Sequence, residues 1–302
     1  MERKKIIVAI VVVLIIASFG GLYFNTGFLQ KSKIDSRDLD LWEYEDGIIV
    51  GAKEFTLNGS EDTCWYLIHG YTSTPDEMRE IAEEIHKEFN ETVVVTRLKG
   101  SGEVPSQILN LTLYDWYDQV SEEFEVLNER CNNVNLIGFS FGGALSIRIA
   151  EDKDVNNIYL LSPYIFATYK PYRILKIETY LDIFADSLYY AKKTKIGQIN
   201  SEEALNKHIA YWNMPLQPLK YSKPFFQEVR DNLGSIENPI LLQQSKNDET
   251  SDLKSSIYIY EGVTSENKAL IVFEISNHII PEDYGKEKVI GNIIAFERET
   301  RE

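Results

Sequence analysis

One stretch, residues 133–144, constrains the fold of this chain more than any other. Its apolar first half predicts a strand, which leads into Gly138-Phe139-Ser140-Phe141-Gly142 and then into a helix-like stretch from Ala144 to Ala150. A G-x-S-x-G sequence between a strand and a helix is typical of a sharp turn that strains the serine backbone and exposes its hydroxyl. Flanking glycines leave room for such a turn. Ser140 is therefore the candidate nucleophile, beside helix N–H groups that favour negative charge.

Composition and charge exclude several classes of function. The 302 residues are 44% hydrophobic and 26% charged, as in an ordinary folded protein. The net charge of −16 would repel phosphate backbones, so we expect no nucleic-acid partner. Four histidines and two cysteines, without Cys-x-x-Cys or His-Glu-x-x-His spacing, leave little material for a metal site. We expect no metal and no other cofactor.

Residues 1–31 are interpreted as a membrane segment. Glu2-Arg3-Lys4-Lys5 precedes Ile6 to Phe24, a run of 19 residues without a charge. At about 1.5 Å per residue, a helix of this length crosses the hydrocarbon core, and the basic residues before it keep that end in the cytoplasm. We expect an uncleaved signal anchor with the catalytic domain outside the cytoplasm. The alternative is a signal peptide cleaved near Ser18-Phe19-Gly20, which would release a secreted protein.

Strands and helices alternate along residues 32–302, which predicts an α/β fold with a mostly parallel, doubly wound sheet. One or two opening strands are expected within Leu41 to Leu57. The further predicted strands are Cys64 to Ile68, Thr92 to Arg97, the strand before Ser140, Asn157 to Pro163, Ile240 to Ser245 and Ala269 to Ile275. The predicted helices are one that ends near Phe89, one from Thr112 to about Arg130, the one after Ser140, and one from Ile280 to near Glu299.

The helix that ends near Phe89 has a sequence signal for its start. Thr74 is expected to cap it, with Pro75 at the first helical position and Glu77 at the third.

Residues of about 164–236 interrupt the alternation. They are rich in tyrosine and phenylalanine and indicate several short helices. Because a structureless loop of this length is uncommon, we expect an inserted helical cap over the carboxyl edge of the sheet, where ligands bind in open α/β sheets. The alternative is an insertion that only fills space.

A serine nucleophile needs a base, and at neutral pH histidine usually serves. Of the four histidines, His86 lies within an amphipathic helix, His208 lies in the cap, and His69 follows a strand, where it is expected to shape a loop. His278 comes just after the last predicted strand, at the same edge of the sheet as Ser140. It is the predicted base.

The acid that orients the histidine is expected after the preceding strand. Asp248 lies there, between serine and histidine in chain order, as is usual in this architecture. Glu249 and Asp252 are the alternatives, and each could equally be a solvated loop carboxylate.

The oxyanion hole is expected from backbone N–H groups. One belongs to Phe141, directly after the nucleophile, and the other to Tyr71, in the loop after the strand that ends at Ile68. The alternative for Tyr71 is an ordinary strand-to-helix turn. Aromatic side chains are expected to line an apolar substrate pocket; the candidates are Tyr71, Trp212, Phe225 and Phe226.

Four motifs together resemble the bacterial carboxylesterases and monoacylglycerol lipases of the α/β-hydrolase superfamily, over roughly residues 60–300. They are His69 to Met78, Gly138 to Gly143, Ser245 to Asp248 and Ser276 to His278. The resemblance implies an α/β-hydrolase fold without a cofactor, and short- to medium-chain acyl esters as substrates. It also implies the roles already inferred: Ser140 as nucleophile, Asp248 as acid, His278 as base, and Tyr71 and Phe141 as oxyanion donors. The chain departs from its relatives at Lys99-Gly100-Ser101-Gly102, where they often have Pro-Gly-His-Gly, and in its membrane segment.

The two cysteines are expected close together in such a fold. Cys64 opens one predicted strand and Cys131 precedes the strand that leads to Ser140. These two strands are neighbours in the sheet of such a fold, and an exported domain permits disulfides. A Cys64–Cys131 bridge is therefore a hypothesis, and two buried thiols are the alternative. A Cα separation above roughly 7 Å would exclude the bridge.

The sequence thus favours a membrane-tethered serine hydrolase that cleaves small-molecule acyl esters. A peptidase or thioesterase could use the same three residues, because the cap and not the triad selects the leaving group. A catalytically silent, membrane-tethered binding module is a further alternative, disfavoured because no member of the triad is missing. The oligomeric state is not indicated.

Overall fold

The computed structural model describes residues 4–6, 9–15, 36–169, 179, 181, 189–193, 195–220 and 222–302. The strands in these residues are β1 Tyr44–Glu45, β2 Ile48–Ile49, β3 Phe55–Leu57, β4 Ser60–Ile68, β5 Glu91–Val95, β6 Asn133–Phe139, β7 Ile158–Leu161, β8 Tyr190–Lys192, β9 Asn213–Pro215, β10 Ile240–Ser245 and β11 Lys268–Phe273. Each strand predicted by the sequence is present, with ends that differ by a few residues.

The central sheet has seven strands in the order β11-β10-β7-β6-β4-β5-β3. All neighbouring strands are parallel except β3, which runs antiparallel to β5 at the edge. The predicted mostly parallel α/β sheet is therefore confirmed. Residues 64–68 of β4 are all buried, as expected for the continuous apolar run of a central parallel strand covered on both faces.

Helices cover both faces of the sheet. They are α1 Ser36–Asp40, α2 Arg79–Phe89, α3 Leu113–Arg130, α4 Phe141–Asp152, α5 Glu202–Lys207, α6 Ser222–Asp231, α7 Lys254–Gly262 and α8 Lys286–Thr300. One core lies between the sheet and α2 and α8, and a larger one lies under α3, α4 and α6. The sheet is thus shielded from water on both sides, and its carboxyl edge is left for a site.

The helices α2 and α3 begin differently, although a threonine precedes each. Thr112 caps α3 through a capping box, in which its hydroxyl accepts the Asp115 N–H at 3.3 Å and the Asp115 carboxylate accepts the Thr112 N–H at 2.7 Å. The predicted cap at Thr74 is wrong: Pro75–Met78 form a 3-10 helix without a side-chain cap, and α2 begins only at Arg79. The Thr74 hydroxyl instead donates to the Ile209 carbonyl at 3.2 Å, so a contact with the inserted segment replaces the local bond.

Two further elements differ from the sequence prediction. The closing helix α8 starts at Lys286 and not at Ile280, because the residues between form a turn in which Asp283 accepts the N–H groups of Asn277 and Tyr284. The helix α7 was not predicted. Its start is set by Asp252, whose carboxylate accepts the Lys254 N–H at 3.0 Å.

The inserted segment is only partly helical in its described residues. It contains the short helices α5 and α6 and the 3-10 helix Gln217–Leu219, and short helices were predicted there. It also contains an antiparallel hairpin of β8 and β9, which the sequence did not indicate. The limits of the cap at about 164 and 236 stay a prediction.

The predicted membrane segment, Ile6 to Phe24, lies largely outside the described residues. Residues 4–6 and 9–15 are helical, and the side chains of Val13 and Leu14 are 62% and 60% exposed. Of the helices that the structure describes, none combines the length and the apolar character needed to cross a membrane.

A disulfide joins Cys64 and Cys131, whose Cα atoms are 6.0 Å apart. It links β4 to the residue that follows α3, on the amino-edge side of the sheet. The predicted pairing is confirmed.

Candidate active site

Ser140 occupies a strained turn between β6 and α4. Its backbone has φ 54° and ψ −114°, a conformation that residues other than glycine rarely adopt. Bonds on both sides hold it there: the Ser140 N–H donates to the Leu161 carbonyl at 2.9 Å, and its own carbonyl accepts the Tyr164 N–H at 2.9 Å. The predicted sharp turn is present, and such strain persists only where the surroundings enforce it.

Close packing explains the glycines beside Ser140. A Cβ on Gly142 would lie 2.2 Å from the Ile68 carbonyl oxygen, and one on Gly138 would lie 2.4 Å from the Gly142 oxygen. Any side chain at either position would push α4 away from the ends of β4 and β6. The motif therefore lets the helix start directly against the sheet, with the serine at its tip.

His278 and Asp248 complete a line of hydrogen bonds that ends at Ser140. The His278 Nε2 atom lies 2.8 Å from the Ser140 Oγ atom, and its Nδ1 atom lies 2.7 Å from Asp248 Oδ2. All three residues are at most 7% exposed. The three residues predicted as nucleophile, base and acid are thus brought into one hydrogen-bonded row at the carboxyl edge, after β6, β11 and β10.

Backbone donors orient the Asp248 carboxylate. Its Oδ1 atom accepts the N–H groups of Thr250 and Ser251, both at 2.8 Å, while Oδ2 faces the imidazole and also accepts the Gln244 side-chain amide at 3.3 Å. The Asn277 side chain couples the two loops, since its oxygen accepts the Glu249 N–H at 3.1 Å and the His278 N–H at 2.9 Å. These hydrogen bonds therefore fix the position of the Asp248 carboxylate relative to the His278 imidazole.

The two alternative acids lie in other settings. Asp252 accepts the N–H at the start of α7, and the Glu249 residue is exposed. In the described structure, the carboxylate that contacts the His278 imidazole belongs to Asp248.

The other histidines are engaged elsewhere. His86 Nδ1 lies 2.8 Å from the Glu91 carbonyl. Burial lowers the pKa of His69 to about 4, and its ring bridges the Gly70 carbonyl at 2.8 Å and the Leu98 N–H at 3.1 Å. It therefore shapes the loop after β4, as expected. Burial alone would lower the pKa of His208, but the Glu282 carboxylate 2.6 Å away outweighs it and raises that pKa.

The two predicted oxyanion donors lie in loops at this same edge. Phe141 is the first residue of α4, and Tyr71 lies in the turn after β4. Within the described part of the chain, neither N–H group donates a hydrogen bond to another protein group. The Tyr71 hydroxyl does have a partner, because it donates to the Pro215 carbonyl of the inserted segment at 2.7 Å. The loop that carries the Tyr71 N–H is thus tied to the cap.

Aromatic rings pack beside Ser140. The ring of Phe141 lies 6.2 Å from that of Tyr71, 5.7 Å from Trp116 and 6.0 Å from Phe225, and Phe226 follows at 5.6 Å from Phe225. Phe225 and Phe226 lie on α6 and are buried. Of the predicted substrate-binding aromatics, Tyr71, Phe225 and Phe226 therefore form one cluster next to Ser140. Their contact with substrate stays a prediction.

Trp212 is placed differently from the other predicted pocket residues. It directly precedes β9, where its N–H donates to the Asp38 carboxylate at 2.6 Å and its carbonyl accepts the Lys193 N–H at 3.0 Å. Its backbone thus joins the hairpin to α1.

A cleft lies away from Ser140, beside β5 and α3. At its floor the Glu123 carboxylate accepts hydrogen bonds from Tyr66, Thr96 and Gln119. These groups satisfy one another, and no nucleophile and base meet there. The groups that line this cleft therefore do not form an activated nucleophile.

Two features of the site could not be found from the sequence. Trp116 lies on the buried face of α3, and its place against Phe141 depends on how α3 crosses α4. Lys193 contacts Thr72 across 121 residues of chain, and no local pattern marks such a pair. The described residues contain no group of three or more His, Cys, Asp or Glu residues that could hold a metal ion.

The chain is similar in sequence to known proteins. The family model for serine aminopeptidase, S33, matches residues 60–284. A carboxylesterase of Bacillus subtilis (strain 168) is 24% identical over 250 residues, covering 82% of this chain and 97% of that protein. A thermostable monoacylglycerol lipase of Bacillus sp. (strain H-257) is 27% identical over 256 residues, covering 82% of this chain and 95% of that protein.

Solved structures share the fold. One of two metagenome-derived lipolytic enzymes, LipS and LipT, matches with a TM-score of 0.75 and 25% identity over 83% of this chain and 99% of that one. The monoacylglycerol lipase of Paleococcus ferrophilus matches with a TM-score of 0.69 over 82% of this chain and 98% of that one, at 16% identity. The predicted α/β-hydrolase fold, and the resemblance to carboxylesterases and monoacylglycerol lipases, are confirmed.

Proposed function

This chain belongs to the serine aminopeptidase S33 family of α/β hydrolases, and on that premise we propose that it hydrolyses carboxylic esters with Ser140 as nucleophile. The observation that carries the proposal is the 2.8 Å distance between His278 Nε2 and Ser140 Oγ, with Asp248 at 2.7 Å from the other imidazole nitrogen. A serine hydroxyl is a weak nucleophile until a base within hydrogen-bond reach accepts its proton.

In the first half of the proposed reaction, Ser140 Oγ attacks the ester carbonyl and His278 Nε2 takes the hydroxyl proton. Asp248 holds the imidazole in the tautomer that carries its proton on Nδ1 and stabilises the cation that forms. The negative charge on the carbonyl oxygen is stabilised by the N–H groups of Phe141 and Tyr71 and by the start of α4. His278 then protonates the alcohol, which leaves, and the acyl group stays on Ser140.

In the second half, water replaces the alcohol. His278 takes a proton from the water as it attacks the acyl carbonyl, a second oxyanion forms at the same N–H groups, and the carboxylic acid is released. The serine regains its proton from His278. No step needs a metal or an organic cofactor.

The proposed substrates are short- to medium-chain acyl esters. The buried aromatic cluster of Phe141, Phe225 and Phe226 offers apolar surface next to the nucleophile for an acyl chain. The relatives named carboxylesterase and monoacylglycerol lipase support a carboxylic ester as the substrate.

The test is hydrolysis of p-nitrophenyl esters from acetyl to dodecanoyl by residues 32–302, beside the Ser140→Ala variant. We expect an optimum at a short or medium chain that disappears in the variant. Folding of both proteins is checked by circular dichroism, so that loss of activity reports on chemistry. A folded wild type that leaves every ester intact would contradict the proposal and favour a silent binding module.

A peptidase is the second candidate, because the matching family model is that of a serine aminopeptidase. The same acyl-enzyme chemistry would serve an amide or a thioester. Aminoacyl p-nitroanilides and an acyl thioester, assayed beside the best p-nitrophenyl ester, separate these activities. A kcat/KM for an anilide above that for every ester would replace the esterase proposal with a peptidase.

We further propose that Ile6 to Phe24 anchors the enzyme in a membrane, with its catalytic domain outside the cytoplasm. The uncharged run and the basic residues before it support this proposal, as does the exposure of its described side chains, such as Val13 and Leu14. The full chain is expected in the membrane fraction of expressing cells and residues 32–302 in the soluble fraction. Amino-terminal sequencing of the mature protein distinguishes the anchor from a cleaved signal peptide.

A further inference from the structure

The loop that carries the proposed oxyanion donor has an unusual backbone. We define the oxyanion loop as residues 70–74. Its central residue, Thr72, has φ 67°, which is a strained conformation for a β-branched residue. Such a residue relaxes unless its surroundings hold it, and Tyr71, directly before it, would turn its N–H with it.

The inserted segment supplies the bonds that hold Thr72. The Lys193 Nζ atom donates to the Thr72 hydroxyl at 2.8 Å, and the Tyr211 N–H donates to the Thr72 carbonyl at 3.0 Å. Bonds to Pro215 from Tyr71 and to Ile209 from Thr74 flank them. The oxyanion loop is therefore bound to the cap at the strained residue itself and at residues on either side of it.

Of these contacts between the oxyanion loop and the cap, the one made by Lys193 comes from a charged side chain. Its ammonium also donates to the Ile196 carbonyl at 3.2 Å. Burial lowers the pKa of Lys193 to about 8, although the carboxylates of Asp38 and Glu77 act to raise it. A hydrogen bond from a cation in such surroundings is stronger than one between neutral groups.

The backbone of Lys193 is itself held in place by hydrogen bonds. Lys193 follows β8, and its N–H donates to the Trp212 carbonyl across the hairpin at 3.0 Å. The Asp38 carboxylate accepts the N–H groups of Trp212 and Asn213 at 2.6 and 3.0 Å, and Asp38 is fully buried. The cap hairpin is thus locked to α1 on one side and to Thr72 on the other.

We propose that Lys193 is a positioning residue for the hydrolytic reaction, which acts through Thr72 to aim the Tyr71 N–H at the carbonyl oxygen of the substrate. The cap then has two tasks: it covers the site, and it completes the oxyanion hole. This inference rests on the proposed function, in which that N–H stabilises the oxyanion.

The test uses Lys193→Met and Thr72→Val, which remove the donor and the acceptor of the bond while keeping similar side-chain volumes. The exposed Lys195→Met, two residues away on the same segment, is the matched control. We expect each of the first two variants to lose about tenfold in kcat on the best p-nitrophenyl ester, because slightly misaimed groups cost rate and not binding. KM is expected to stay within about twofold, and Lys195→Met to match the wild type.

The double variant decides whether Lys193 acts through Thr72. If it does, Lys193→Met combined with Thr72→Val loses no more kcat than either change alone. Lys193→Arg, which can still donate to the Thr72 hydroxyl, is expected to recover most of the rate. A role in folding alone would lower the melting temperature without this pattern in kcat.

Three results would overturn the inference: full kcat in Lys193→Met, losses that add in the double variant, or a change confined to KM. Each requires an active wild type, whose ester hydrolysis is lost in Ser140→Ala. An inactive wild type would instead reject the proposed function, so the two failures are distinguishable. If Lys193→Met does not fold, Thr72→Val and Lys193→Arg still decide the matter, because Thr72→Val keeps the cation and removes its acceptor, whereas Lys193→Arg keeps both the cation and the bond.

Discussion

The two edges of the central sheet each carry a buried carboxylate in a network of hydrogen bonds. At the carboxyl edge, Asp248 accepts from His278 and from two backbone N–H groups. At the amino edge, Glu297 of α8 accepts from Asn157 at 2.8 Å, from Arg301 at 2.8 Å and from the Tyr159 hydroxyl. By burial and bonding alone the two networks would be hard to tell apart.

The difference lies in where each network ends. The amino-edge network closes on itself, because every partner of Glu297 is a donor that stays in place, and it ties α8 to β7. The carboxyl-edge network ends on a hydroxyl at a strained turn, next to backbone N–H groups without an acceptor in the described structure. A buried carboxylate therefore does not by itself indicate a reactive site; the strained backbone and the open donors beside it do.

The largest predicted effect comes from a substitution that breaks only the carboxyl-edge network. Asp248→Asn keeps the side-chain volume but offers an N–H₂ group where His278 needs an acceptor, which favours the wrong tautomer. We expect kcat to fall about 10⁴-fold, as for the equivalent change in a serine protease. Steady-state ester hydrolysis measures it. Asp252→Asn, at the alternative acid, is the control, and a larger loss there than at Asp248 would reassign the acid.

A second prediction concerns the disulfide of the amino edge. The bridge closes a loop with a sequence separation of 67 residues, so its removal in Cys64→Ala/Cys131→Ala should lower the free energy of unfolding by about 3 kcal/mol. Because the bridge lies at the edge opposite Ser140, kcat should stay within about twofold of the wild type. Urea denaturation with and without dithiothreitol checks this. The reductant should destabilise the wild type and leave the double variant unchanged.

A third prediction removes the amino-edge carboxylate. Glu297→Ala leaves Asn157, Tyr159 and Arg301 without their shared acceptor, which should cost about 3 kcal/mol of unfolding free energy. Activity at temperatures below unfolding should not change. The exposed Glu299→Ala on the same helix serves as control. If Glu297→Ala instead lost activity while fully folded, the distinction between a structural edge and a reactive edge would fail.

The smallest predicted effect sharpens the argument from strain. Ser140→Gly and Ser140→Ala should both be inactive, but glycine adopts the conformation with φ 54° at no steric cost. The glycine variant should therefore be about 1 kcal/mol more stable than the alanine variant. Thermal unfolding of the two proteins compares them directly. Equal stability would mean that the turn stores no measurable strain.

The sequence was sufficient for most of the carboxyl edge. The strand-turn-helix pattern around Ser140 and the positions of Asp248 and His278 after successive strands are local features of the chain. In a parallel sheet, residues that follow the strands meet at one edge, so the order of elements alone brought these residues together.

What the sequence did not indicate depends on contacts between distant segments. The Thr74 hydroxyl was expected to cap a helix and instead bonds the Ile209 carbonyl. The hairpin of β8 and β9 has strands of three residues each, too short for a period of two to be recognised. The Lys193–Thr72 bond joins residues whose proximity is set by the packing of the cap.

The central claim is that Ser140 is an activated nucleophile, and covalent labelling tests it most directly. Residues 32–302 are treated with a fluorophosphonate, digested, and analysed by mass spectrometry. We predict one adduct, on the peptide that contains Ser140, with labelling lost in Ser140→Ala and strongly slowed in His278→Gln. A folded protein that takes up no label, or that carries the adduct on another residue, would contradict the assignment of Ser140.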